Sequence, residues 1–517
     1  MQHYNLQFQM PMKRNLLILL WVLIGVSIKV EAVENTSVDD LRIGERYKKC
    51  IVGESVERIA WDDEIPQQYT FVTKSSPKAI DEELVSLSVQ TTKEGELETV
   101  IGDKLLDIES LTVSGPVNDD DFTIMWRASF YGNLQYIDLK DALLSNGGVP
   151  RRAFYHDEQQ ESSTIYPVKL KKIILPDNAT SIGEYAFCFA VYLESINIPQ
   201  SLRVIGRCSF NYCYALNFDV LTLPEGMESI EFSVFAYCTS LTAKVELPST
   251  IKKIGRAAFM GSKIATINLP DGLQSLGSGA FYGSGLKEIY VPDGCIFEGE
   301  DHFGECHELK TAHIPEGMTV MPSGMFNGCY ELEDVNIPES VTEMQSYAFS
   351  FCDALSHLRL PRYLKKTSFY SLFYLSDLEE IYFPATMEVI GEQSCKYWRN
   401  IKRIYCAAPI PPLCIGEEKE PLQTPFGVPT FGPELQTPRD TPVYVPRGSA
   451  DAYRNAWGWN YFTNFIETDD FPGSAVDEIL SDEDSGELPM YDLYGKKVVN
   501  PQRGEIYIKG GKKFIQN

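Results

Sequence analysis

Prolines that follow an apolar residue recur at positions 176, 199, 224, 248, 270, 292, 315, 338, 361 and 384, with gaps of 22 to 25 residues. Eleven residues after each of the first eight stands a phenylalanine: Phe187, Phe210, Phe235, Phe259, Phe281, Phe303, Phe326 and Phe349. Five of these units add a cysteine fourteen residues after the proline (Cys213, Cys238, Cys306, Cys329, Cys352), and most carry a leucine at seventeen. A period this regular restricts the fold more than any other feature. One unit of about 23 residues cannot bury its apolar side chains alone, whereas a stack of units can.

Each unit reads as a strand followed by turns. In "LESINIP" Ile196 and Ile198 share one face and Ser195 and Asn197 the other, and "LEEIYFP" repeats the alternation with Ile381 and Phe383. Proline closes the strand, where a missing N–H does least harm. A second apolar position follows six residues later (Ile182, Ile205, Ile230, Ile254, Leu276, Ile390), and small residues such as Ala186, Ala258, Ala280 and Ala348 precede the phenylalanine. Stacking at a strand spacing of ~4.8 Å lays the phenylalanines into one internal ladder. Each contributes roughly 1.5–3 kcal/mol on burial. The expected fold is a mainly β repeat solenoid.

The pattern IP, I-G, A-F, C, L, IP resembles the BspA-type leucine-rich repeat of secreted and surface bacterial proteins, over about residues 93–467. The resemblance implies an N-terminal cap in 93–160 and a solenoid in 161–467. The segment 441–467, with Tyr453, Trp457 and Phe462, resembles the closing repeat of that family and is expected to cover the last edge. Two departures stand out. Leu372 and Cys395 replace phenylalanine in the last two units, and the Pro-rich stretch 406–438 reads as an insertion that loops out before the cap.

The flanks carry further expectations. Lys13 and Arg14 precede the apolar run Leu16–Val26, which is short for a membrane-spanning helix and suits a signal peptide ending near Ala32, with Met12 the better start. The alternative is a residual anchor. Residues 33–92 carry no repeat, and their apolar runs suggest a small β module. Residues 468–487 form an acidic linker. The tail 488–517 turns basic and resembles the C-terminal tails that direct exported Bacteroidetes-type proteins to the cell surface; the alternative is a last small hairpin. No integral span is expected in the mature chain.

Bulk charge and motifs narrow the chemistry. A net charge of −26 argues against nucleic acid and against electrostatic attachment to anionic lipid. Twelve cysteines in an exported chain would normally suggest disulfides, but the five that share one repeat position read as buried small hydrophobes. There is no C-x-x-C pair. The stretch "DHFGECHELKTAH" offers His302, Glu305, Cys306, His307 and His313, yet repeat phase sends these side chains in different directions, so no metal site is assigned. No G-x-S-x-G, phosphate loop or dinucleotide fingerprint occurs. No cofactor and no enzyme activity are expected.

What remains is surface. The outward strand position two residues before each proline forms a row that includes Tyr290, His313, Asn336, Arg359 and Tyr382, with His357 beside it. Tyrosine, arginine and histidine in one stripe are residue types enriched in binding hot spots. They are also residues that exposed strands tolerate for β propensity alone. The resemblance implies an exported or cell-surface protein that binds a macromolecular partner, by adhesion or host-protein contact. The alternative is a surface glycan-binding protein, with tyrosines stacking on sugar rings. The ligand is in either case a protein or glycan outside the cell.

Overall fold

The computed structural model describes residues 84–161, 164–416, 424–427 and 436–471, together with the short strands Thr70–Phe71, Met490–Tyr491, Ile506–Lys509 and Lys512–Ile515. The segment read as a signal peptide, the acidic linker beyond residue 471 and most of 33–83 lie outside the described residues.

The chain winds into a parallel β-solenoid of about 16 turns. The strands before the prolines form a long ladder, hydrogen-bonded in four successive segments, that runs from Ser86–Gln90 and Ser110–Val117, through Glu288–Tyr290, Thr311–His313 and Asp334–Asn336, to Val443–Pro446 and Phe465–Thr468. Neighbouring strands pair in parallel register one repeat apart, as in Ile289 opposite Ala312 and Ala312 opposite Val335. The second apolar position builds a shorter ladder, in which Ile230 faces Ile254 and Ile254 faces Leu276. Both ladders turn alternate side chains inward, so the period of two within each strand and the period of 23 between strands converge on one core.

Inside, the phenylalanines stack as a continuous column. Successive ring centroids from Phe154 through Phe187, Phe210, Phe235, Phe259, Phe281, Phe303 and Phe326 to Phe349 lie 5.4 to 5.8 Å apart, with planes within 18° of parallel. The spacing exceeds the ~4.8 Å between neighbouring strands because offset rings avoid face-to-face repulsion between π clouds. Beside this column the five cysteines of the shared repeat position each donate the thiol to a phenylalanine carbonyl of the preceding turn, as in Cys213 to Phe187 at 3.1 Å, Cys329 to Phe303 at 3.2 Å and Cys352 to Phe326 at 3.2 Å. The eleven described cysteines are free thiols and all are buried.

The backbone between the ladders is left-handed at two places in every repeat, nine and thirteen residues after the proline. Tyr185, Phe189, Cys208, Tyr212, Ser233, Tyr237, Asp301, Glu305, Tyr347 and Phe351 all have φ between 52° and 61° there, and Gly261, Gly283 and Gly328 take the same role with φ of 65° to 75°. A non-glycine residue in this region costs about 1–2 kcal/mol. The return is a third column of inter-turn hydrogen bonds. Tyr185, Phe187 and Phe189 donate their N–H groups to the carbonyls of Arg207, Ser209 and Asn211 at 3.0, 2.8 and 2.9 Å. Buried peptide groups that would otherwise lack partners are thereby satisfied.

Both ends of the solenoid are anchored. The helix Asp119–Phe130 begins with a capping box between Asn118 and Asp121, and the buried Asp121 carboxylate also accepts from the N–H groups of Gly95 and Leu97, each at 2.9 Å. Residues 406–438, read above as an insertion, contribute to the stack in pieces. Leu413–Cys414 is the next rung of the short ladder, with Cys414 opposite Ile390. Cys395 donates its N–H to Pro425 at 3.0 Å, which seats the fully buried Phe426 where the next phenylalanine of the repeat belongs. The helix Ala450–Asn455 and the turn after it close this end. Tyr453 donates to Ala408 at 2.7 Å and Trp459 to Pro412 at 3.0 Å. Among the described residues no helix is long and apolar enough to cross a membrane.

Candidate functional site

The outward face of the long ladder holds all six residues of the sequence-derived stripe, but the structure gives them different roles. Asn336 is architectural. Its amide oxygen accepts from the Ile314 N–H at 2.9 Å and its amide nitrogen donates to the Ile314 carbonyl at 3.2 Å. Asn197 clamps Leu175 and Asn268 clamps Leu247 in the same way. Each asparagine satisfies the peptide group just before a proline, where the regular ladder stops.

Arg359 is held in an ion pair. Its guanidinium reaches Glu339 at 2.5 Å, and the same carboxylate accepts from the Arg362 backbone at 2.8 Å. His357 is exposed and lies opposite Glu380, which pairs with Arg403 at 3.0 Å. Other rungs carry similar exposed pairs, such as Lys310 with Glu333 at 3.6 Å and Lys402 with Glu379 at 2.7 Å. Such exposed pairs add little to stability, because solvent screens them. Beside these paired charges the rings are the distinctive feature of the face.

The rings form two groups. Tyr290 faces His313 across adjacent rungs, with centroids 4.4 Å apart and planes within 5°. Further along, Tyr382 lies opposite Tyr405, and Tyr405 opposite Tyr444, where the rings stack at 4.7 Å. The sequence reading ended the stripe at Tyr382 and missed Tyr405 and Tyr444. Tyr444 precedes Pro446 by two residues, as Tyr382 precedes Pro384, so the signal was present but lay beyond the insertion. Phe471, which meets Tyr382 edge-on at 6.3 Å, had no sequence signal at all. Burial raises the Tyr382 phenol above its ordinary pKa, with Cys406 adding to the shift.

The metal-like stretch does not converge. His302 is fully buried and bonds through Nε2 to the Glu298 carbonyl at 3.2 Å, His307 pairs with Glu305 at 2.9 Å, and His313 stacks on Tyr290. Among the described residues no group of three His, Cys, Asp or Glu side chains is placed to hold a metal ion.

Comparison with known proteins matches the stack. The family described as BspA type leucine-rich repeat region, in six copies, matches residues 159–284, 214–323 and 299–411. A leucine-rich repeat protein from Bacteroides ovatus is similar at 20% identity over 65% of this chain and 86% of its own, with a TM-score of 0.45. The pneumococcal vaccine antigen PcpA is similar at 18% identity over 70% of this chain and 80% of its own, with a TM-score of 0.38. A leucine-rich cell surface protein from Faecalibacterium prausnitzii is similar at 20% identity over 50% of this chain and 82% of its own, with a TM-score of 0.32. A search of the curated proteins found no match. The repeat period, the two parallel ladders and the family match together make this chain a leucine-rich repeat protein of the BspA type.

Proposed function

We propose that the protein is an exported, non-enzymatic binding protein that recognises a macromolecular partner outside the cell through the aromatic part of its long-ladder face. The observation that supports this most directly is the Tyr290–His313 stack, two flat rings held parallel on consecutive rungs. Rings on a rigid sheet lose little conformational entropy when they meet a partner, which is why aromatic anchors dominate binding energetics. A leucine-rich repeat solenoid is in general a scaffold for binding, and this face presents side chains on strands fixed from both sides. Export rests on the apolar run that follows Lys13 and Arg14.

The test is binding of the mature chain to immobilised matrix proteins and mucin-type glycans, beside Tyr290→Ala and His313→Ala variants of unchanged thermal stability. Binding by the parent that falls at least tenfold in both variants supports the reading. Equal binding by all three overturns the assignment to this face. Retention on glycans alone would favour the glycan-binding alternative.

A further inference from the structure

The second ring group is already occupied. Beyond the last rung, Phe465–Thr468, the chain turns back across the outward face of the ladder. Thr468 fixes that turn by donating its hydroxyl to the Asp470 carbonyl at 3.1 Å and accepting from the Asp470 N–H at 3.0 Å. Asp469 pairs with Arg447 at 2.8 Å, and Phe471 comes to rest against Tyr382. In rung order Tyr444 and Tyr405 lie between Ile466, on the last rung, and Tyr382. Tyr405 is only 8% exposed, unusual for an outward strand position whose neighbours Glu380 and Arg403 remain solvated. Burial is the main cause that raises its phenol, and Asp470 is among the charges that act on it.

We propose that the row Tyr382, Tyr405 and Tyr444, with Arg447, is a peptide-docking groove, that its resident occupant is the chain's own Asp469–Phe471, and that it accepts from a partner an extended segment with acidic residues before an aromatic one. The bound segment itself supplies the chemistry of the occupant. A carboxylate meets the Arg447 guanidinium, and a ring meets Tyr382 two rungs away. Arg447 and Asp469 are both more than two-thirds exposed, so their pair is weak and solvent competes for it. The Phe471 ring is therefore the main anchor, and a cis contact of this kind can be exchanged for one in trans. This inference rests on the reading of the ladder face as a binding surface, but it concerns a separate group of rings.

The probe is a fluorescent hexapeptide of sequence Thr-Asp-Asp-Phe-Pro-Gly, titrated against the full mature chain. Phe471→Ala should bind it about tenfold more tightly than the parent, because the groove is vacated. Adding Tyr382→Ala should remove that gain, and a peptide with Ala in place of Phe should not bind any of the three. Equal affinities for the parent and Phe471→Ala would overturn the proposal, as would binding that survives loss of Tyr382. Tyr290→Ala serves as the control. If it lowers binding to the immobilised matrix proteins or mucin-type glycans while the hexapeptide result is negative, the general reading stands and the groove falls.

Discussion

The indole N–H of Trp398 donates to the carbonyl of Leu372 at 2.7 Å. Trp398 stands fourteen residues after Pro384, the cysteine position, and Leu372 stands eleven after Pro361, the phenylalanine position. Where both repeat residues have changed, the hydrogen bond between consecutive turns has been kept with a different donor. The repeat thus preserves an interaction and lets the side chain vary.

Trp398→Phe should test that relationship. The ring volume is largely retained, but the buried Leu372 carbonyl loses its donor, at about 1–3 kcal/mol. Urea denaturation would measure the loss. A change below about 0.3 kcal/mol would mean that another donor takes over.

The thiols make a parallel case. Cys329→Val should destabilise by about 0.5–1.5 kcal/mol, because the Phe303 carbonyl loses the thiol and keeps only the Cys306 N–H at 3.3 Å, whereas Cys329→Ser keeps a donor and should cost less. Burial also holds the Cys329 thiol well above its ordinary pKa. The described cysteines should therefore resist thiol reagents until the chain is denatured. Labelling of Cys329 in the native protein would contradict this.

Within the ring column, Phe259→Ala should destabilise by about 3–5 kcal/mol, because Phe235 and Phe281 both lose a stacked neighbour at 5.4 and 5.6 Å. In a one-dimensional stack the damage is nearest-neighbour. Hydrogen exchange should quicken around residues 235–281 and leave the ends of the solenoid unchanged.

A buried histidine and a partly buried carboxyl give opposite pH responses. Burial lowers the pKa of His302 to about 4, so the unfolded chain takes up its proton first. Stability from this group is present above about pH 6.5 and is lost as pH falls towards 4. Burial raises the pKa of Asp353 to about 6. Here the folded chain holds the proton, and stability is lost as pH rises from about 4 to 6 and stays low above it. Asp353→Asn should therefore raise the melting temperature more at pH 7.5 than at pH 4. His302→Phe should flatten the acid limb. Equal shifts at both pH values would refute the assignments.

The sequence by itself determined the period, the two inward-facing strand positions and the phenylalanine column, because these depend on local alternation and on spacing along one chain. Side chains such as Ile289 and Phe281 could have only one destination once units were stacked. The left-handed positions were not legible. They hold Tyr, Phe, Cys, Ser, Asp and Glu as readily as Gly, and only the hydrogen bonds to the next turn make that backbone worthwhile. Phe426 was hidden for a similar reason. The inserted residues break its spacing from the rung Leu413–Cys414, and only the bond from Cys395 to Pro425 restores it to the column. Nor did the outward stripe reveal its divisions. Asn336 serves the backbone, Arg359 is held by Glu339, and Tyr382 is covered by Phe471, 89 positions further along the chain. Strand periodicity says which way a side chain points, whereas what meets it there depends on segments brought together only by the tertiary fold.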